Sequence, residues 1–254
     1  MQFAYIGTGG VGALQVVVGE SGAKTGKLVG IEALIRWLRP NGGVVSPIEF
    51  LPAVEDSAML ERFTLATLDM ALAQLRSFLE MGFEIGIAVN ISARMLEHDH
   101  LEDCIIASLK RYRVPPGLLT LEITETALIV NPVKARRAID TLDQYGVFFS
   151  IDDFGAGFTS FKYLKSFQIA EIKIDREFVT SIEKESFDAH LVNSIASFCK
   201  GLNIRLVAEG VESESDFLIL QQLDCQFGQG YFIAKPMPAD DFLAWLRNRN
   251  QCTK

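Results

Sequence analysis

The sequence predicts an α/β fold, a (β/α)8 barrel of the TIM type with one antiparallel strand near the N-terminus. Three observations carry this. Short runs rich in Val, Ile and Phe alternate with longer helix-like stretches, the order that builds a mostly parallel sheet. Eight such runs fall within 254 residues, which suits a closed barrel better than an open sheet. Only Gly19–Lys27 separates the first two runs, too short for a parallel crossover, so one of those strands runs against the others.

The elements follow in order. Residues 1–12 are glycine-rich, lack a basic start and read as a flexible leader, not a secretory signal. Residues 13–250 read as one domain, with no linker to suggest a second. Strands are expected at Leu14–Val18, Leu28–Ile31, Ile85–Val89, Leu119–Ile123, Phe148–Ile151, Ile172–Ile174, Arg205–Ala208 and Phe227–Gly230. Helices are expected near Ala58–Met81, Leu101–Arg113, Pro132–Tyr145, Phe158–Phe167, Ser186–Lys200, Ser213–Leu223 and Ala239–Asn248. Pro132 sits early in its helix, where a missing N–H costs little, and Gly82, Gly146 and Gly201 each follow a helix as a stop signal.

Composition narrows the function. Hydrophobic residues make up 49% and charged residues 22%, enough for a sizeable core. Thirty-two acids against 24 bases give a net charge of −8, which argues against a general DNA-binding surface. An anionic small ligand stays open, because bound metal ions reverse the local sign. No apolar run approaches the roughly 20 residues of a membrane span. Cys104, Cys199, Cys225 and Cys252 are scattered without a C-x-x-C pair, the pattern of free thiols in a reducing cytoplasm.

The strand ends carry the chemistry. They deliver Glu32, Asn90, Glu122, the pair Asp152 and Asp153, Lys173 with Asp175, and Glu209. Two positions before Glu32, Asn90, Glu122 and Asp152 stand Gly30, Ala88, Thr120 and Ser150, all small. Strand alternation puts those small residues on the same face as the polar ones, and turns Ile31, Val89, Leu121 and Ile151 outward against the helices. The result is a roomy, carboxylate-lined cup at the C-terminal mouth. Glu209 fits less well, with Val207 beneath it. Converging carboxylates need an offsetting cation, and oxygen-only donors select magnesium, manganese or calcium over zinc. Two such ions form a clamp for displacement at phosphorus. Lys173 can hold an attacking water, offset phosphoryl charge or simply balance Asp175.

Other signals are discounted. Gly7-Thr8-Gly9-Gly10-Val11-Gly12 spells G-x-G-x-x-G, but the following residues read as a strand where a dinucleotide fingerprint needs a helix. His98 and His100 form an H-x-H in a polar segment that reads as a solvated loop and not as a metal site. Phe148, Phe149, Phe154, Phe158, Phe161 and Phe167 read as core or interface.

The chain resembles the EAL-domain cyclic di-GMP phosphodiesterase family over nearly its whole length. The matching blocks are Glu32-Ala33-Leu34 with Arg36, Asn90-Ile91-Ser92-Ala93-Arg94, Glu122-Ile123-Thr124-Glu125 and Asp152-Asp153-Phe154-Gly155. Lys173-Ile174-Asp175-Arg176, Ala208-Glu209-Gly210-Val211-Glu212 and Gln229-Gly230-Tyr231 follow in the family's order. The resemblance implies hydrolysis of cyclic di-GMP to linear 5'-pGpG by a water activated by two divalent cations, Mg or Mn, with Ca binding but inhibiting. By motif match Glu32, Asn90, Glu122 and Asp152 would hold one metal, and Asp152, Asp153 and Glu209 the second. Glu32, Lys173 and Glu209 would be the catalytic residues. Arg36, Leu34, Asp175, Gln229 and Gln15 would face substrate, and Glu125 would brace the loop after Asp153. That loop, Phe154–Phe161, is tied in the family to metal binding and dimerisation. The resemblance also implies a homodimer and allows a regulatory domain upstream. The family's Tyr-Gln-Pro-Ile block is here Leu14-Gln15-Val16-Val17, and Ala156, Phe158, Thr159 and Phe161 replace common loop residues. These departures keep open a non-catalytic cyclic di-GMP receptor, or a scaffold that binds protein partners.

Overall fold

The computed structural model describes residues 13–19, 27–39, 43–155, 164–180 and 182–251. The chain opens with β1 (Ala13–Gly19) and β2 (Lys27–Leu34), then a two-stranded ribbon of β3 (Trp37–Leu38) and β4 (Val44–Val45). Helices α1 (Pro47–Glu55) and α2 (Leu60–Glu80) lead to β5 (Gly86–Asn90). After a 3-10 turn at Ala93–Glu97 come α3 (Leu101–Tyr112), β6 (Leu119–Thr124), α4 (Ala127–Val130), α5 (Pro132–Tyr145) and β7 (Phe148–Phe154). The last part holds β8 (Glu171–Ile174), α6 (Phe187–Leu202), β9 (Arg205–Ala208), α7 (Glu214–Gln222), β10 (Phe227–Gln229) and α8 (Ala239–Gln251).

Eight strands close a barrel in the order β1-β10-β9-β8-β7-β6-β5-β2. The antiparallel strand expected from the short first link is β1, which runs against both β2 and β10, while the other neighbours pair in parallel. All eight expected strands form. Ile31, Val89, Leu121 and Ile151 are at most 1% exposed and belong to one core with Leu72, Ile105 and Ile139 of the helices. Burying each such side chain stabilises the fold by about 1.5–3 kcal/mol, and their outward direction leaves the alternate positions to the barrel interior. No helix among the described residues is long and apolar enough to cross a membrane.

Several expectations change. A helix over Pro47–Glu55 is not among those expected. Pro47 instead opens α1, Pro52 lies inside it, and the Ser46 N–H donates to Glu49 at 3.2 Å as a capping contact. Gly201 does not end its helix. α6 runs on to Leu202, and Asn203 takes the left-handed cap at φ +57, a conformation asparagine tolerates. Gly82 and Gly146 do stand at helix ends with positive φ. β1 forms where a dinucleotide fingerprint would need a helix, which removes that reading. Phe149, Phe154 and Phe167 are buried, but Phe148 is 40% exposed. The expected leader, most of the expected helix Phe158–Phe167, most of the loop Phe154–Phe161, and Cys252 lie outside the described residues.

Two glycines hold the rim. Gly210, directly after Glu209, has φ +67, and a Cβ there would collide with Arg176. A Cβ at Gly230, directly after Gln229, would collide with the Val211 backbone. Both allow the ends of β9 and β10 to close over the barrel mouth.

Candidate functional site

The inward face of the strands brings most of the expected residues to one rim. Lys173 is at its centre, 1% exposed. Its Nζ stands 2.6 Å from Glu209 Oε1, 3.1 Å from Glu122 Oε1, 3.2 Å from Glu32 Oε2 and 3.3 Å from Asp152 Oδ1. Glu32 is held from three sides. Asn90 Nδ2 donates to its Oε1 at 2.8 Å, and Gln229 Nε2 and Lys173 Nζ donate to its Oε2 at 2.6 and 3.2 Å. Gly30 and Ala88 leave room beneath for these long side chains, as the alternation required. Glu209 reaches the cluster despite buried Val207, because its N–H donates to Ile174 O at 3.1 Å and extends β9 along β8.

Adjacent strand residues normally face opposite sides, yet Asp152 and Asp153 both serve the rim. The β7–β8 register explains how. Ile151 pairs with Ile172 and Phe154 with Ile174, so β7 holds one extra residue against β8. This bulge carries Asp153 at φ +53, a left-handed conformation that costs a non-glycine residue energy. It lets ligand atoms of Asp152, Asp153 and Glu209 lie within 4.8 Å of one another.

The electrostatics are one-sided. Among the described residues, Glu32, Glu122, Asp152, Asp153 and Glu209 set five potential negative charges against the one charge of Lys173. Burial, then Glu32, push the Glu122 carboxyl well above the usual range. Burial raises Glu209 to about 8, against the pull of Lys173. Burial, Asp152 and Asp175 raise Asp153 to about 6. Burial also works against an ionised Glu32, but Lys173, Gln229 and Asn90 prevail and hold it below its ordinary value. Burial opposes the charge on Lys173 as well, yet its four acidic neighbours lift it well above the ordinary lysine value. Buried Glu122 Oε2, Asp152 Oδ1 and Gln229 Oε1 accept no hydrogen bond among the described residues. A surplus of acceptors with an oxygen-only donor set fits a hard divalent cation.

The remaining expected residues lie around this cluster. Gly155 N–H donates to Glu125 Oε2 at 3.2 Å, at the start of the loop after Asp153. Asp175 accepts from Glu177 N–H at 2.7 Å and faces Asp153. Gln15, half-buried on β1, is the register partner of Glu32. Leu34 and Arg36 are not in the acidic cluster. They line a mostly apolar cavity of about 250 Å³ beside it, closed by Leu51 and Phe63 of α1 and α2 and bordered by Asn90 and Thr124. Sequence reasoning missed that wall together with α1. The Ser46-x-x-Glu49 spacing was the available signal.

Fold and donor set together define a barrel with a cluster of carboxylates round one lysine at the C-terminal rim of its strands. The chain belongs to the EAL-domain family, whose model matches residues 16–236. It is 38% identical over 223 residues, 87% of its length, to the bifunctional diguanylate cyclase/cyclic di-GMP phosphodiesterase MucR of Pseudomonas aeruginosa. The chain spans about a third of that relative's length. The solved PaMucR phosphodiesterase in complex with c-di-GMP superposes with a TM-score of 0.85 at 36% identity, covering 91% of this chain and 92% of that one. BlrP1 of Klebsiella pneumoniae, solved with c-di-GMP and either manganese or calcium, gives 0.77 at 30% identity, covering 89% and 55%.

Proposed function

We propose that this chain is a phosphodiesterase that hydrolyses one ester of cyclic di-GMP to linear 5'-pGpG with two divalent cations, Mg or Mn. One observation carries the reading: five carboxylates gathered round Lys173 at the mouth of the barrel, with buried Glu122 Oε2 and Gln229 Oε1 accepting no hydrogen bond among the described residues. Family membership and relatives solved with c-di-GMP support the substrate. Glu32, Asn90, Glu122 and Asp152 would hold one cation, and Asp152, Asp153 and Glu209 the other. The cations supply Lewis acidity and neutralise charge for in-line displacement at phosphorus. Lys173 positions the attacking water and offsets phosphoryl charge, held in place by the acids on every side. Asn90 and Gln229 fix the rotamer of Glu32. Leu34, Arg36, Asp175, Gln229 and Gln15 bound the substrate's side of the cup, and Glu125 steadies the turn after Asp153 through Gly155.

Purified protein is assayed with magnesium, manganese and calcium in parallel. Linear pGpG is expected with the first two and strong inhibition with calcium. No turnover in magnesium or manganese would reject the enzyme, and tight nucleotide binding without hydrolysis would establish a receptor instead. Light scattering tests the homodimer read from the family.

Gln229→Leu removes the 2.6 Å donor to Glu32 and frees that carboxylate to rotate. Manganese affinity measured by calorimetry is expected to fall about 10- to 100-fold, the usual effect of losing a group that orients a ligand. Unchanged affinity would show that Glu32 needs no such support.

A further inference from the structure

A row of polar residues runs down the inside of the barrel from the acidic cup. The register carries it across five strands: Asn90 of β5 pairs with Glu122 of β6, Glu122 with Ser150 of β7, Ser150 with Glu171 of β8, and Glu171 with Arg205 of β9. The row starts at two residues of the cup and ends at the first residue of β9, on the N-terminal floor. Ser150 and Glu171 stand two positions before Asp152 and Lys173, so they share the inward face one layer below them. Branched apolar side chains ordinarily fill a barrel at that depth. Here Ser150 Oγ donates to Glu171 Oε1 at 3.1 Å, and Arg205 Nη1 stands 3.3 Å from Glu171 Oε2. The guanidinium also lies over the ring of Phe227, the first residue of β10, 5.8 Å from its centroid. Ser150 and Glu171 are buried, while Arg205 is partly exposed. Burial works against the Glu171 charge, and Arg205, Lys173 and Ser150 favour it.

We infer that Glu171 is a positioning residue for the cations of the cup: it cancels the charge of Arg205 at the barrel floor and so keeps the cup above it attractive to divalent ions. This rests on the cation reading given above. Arg205 meets Phe227 where β9 and β10 begin, which puts a positive charge beneath the proposed cation site. In a buried interior such a charge acts over several ångströms and is weakly screened by salt. Glu171 is the carboxylate beside it in the row, and Ser150 fixes the oxygen that Arg205 does not hold. Glu171 touches neither substrate nor the reacting atoms. It acts through the field of its ion pair with Arg205.

Manganese binding to the whole, metal-free chain is measured by calorimetry, together with the melting temperature of each variant. Glu171→Gln keeps the size of the side chain and an oxygen that accepts from Ser150, and removes only the charge. It is expected to weaken manganese binding about tenfold, because Arg205 is left unopposed. Adding Arg205→Gln removes both charges and is expected to restore the affinity to within about threefold of the unaltered chain. A merely structural role for Glu171 would leave the double variant no better than the single one. Arg205→Gln alone, a change at a partly exposed side chain, is expected to bind manganese no more weakly than the unaltered chain. Unchanged affinity in Glu171→Gln, a double variant as weak as the single one, or weaker binding by Arg205→Gln overturns the inference and leaves the cation reading standing. No manganese binding by the unaltered chain overturns both.

Discussion

Glu32→Ala is expected to abolish pGpG formation, with kcat falling by about 10³-fold or more, the loss typical when a pre-organised charge-stabilising group is removed from a site. Glu32 is the point where three strands are tied together: Asn90 from β5, Lys173 from β8 and Gln229 from β10 all donate to it. Its loss removes a proposed cation ligand and frees the amides of Asn90 and Gln229 together. Because Glu32 is held below its ordinary pKa by those donors, it is ionised at neutral pH and acts as an anion there. Chromatographic detection of pGpG from the variant, with magnesium or manganese, checks the loss. Turnover within tenfold of the unaltered chain would remove Glu32 from the reaction.

Lys173→Met is expected to have the largest effect on stability. The ammonium is, among the described residues, the one cation within 3.3 Å of Glu32, Glu122, Asp152 and Glu209, and it is almost fully buried. Methionine fills similar space but leaves those acids facing one another. Removing one partner of a buried charge cluster costs about 3–5 kcal/mol, a fall in melting temperature of roughly 10 °C for a chain of this size. The fall belongs to the metal-free protein. Manganese offsets the exposed repulsion, so the variant should regain more melting temperature on adding manganese than the unaltered chain does, while hydrolysis stays absent. Calorimetric melts with and without chelator check this. Equal melting temperatures for the two metal-free proteins would show that the acids do not need the lysine.

Much of the architecture could be read from periodicity. Small residues two positions below Glu32, Asn90, Glu122 and Asp152 marked the interior, because only one face of a strand can be roomy and only the other can be greasy. The reading stopped where the chain leaves its regular period. Nothing in the residues around Asp152 and Asp153 announces a bulge, since the extra residue is fixed by pairing with β8, a strand some twenty residues further along. α1 was hidden because Pro47 and Pro52 look like breakers, although Pro47 occupies the one place in a helix that welcomes proline. Asn203 displaced Gly201 as a helix end because two residue types can take the left-handed cap. Partners from distant segments, such as Glu61 beside His98, are invisible to any local pattern.

The hydrogen bond from Gln229 to Glu32 joins residues 197 positions apart. β1 borders both β2 and β10, so the ring is shut by the first strand meeting the last. During synthesis on the ribosome, a nascent chain that has not yet emerged past Gln229 cannot assemble the donors round Glu32, however well its earlier helices have formed. The acid-lined cup is therefore complete only once the last barrel strand has joined the first.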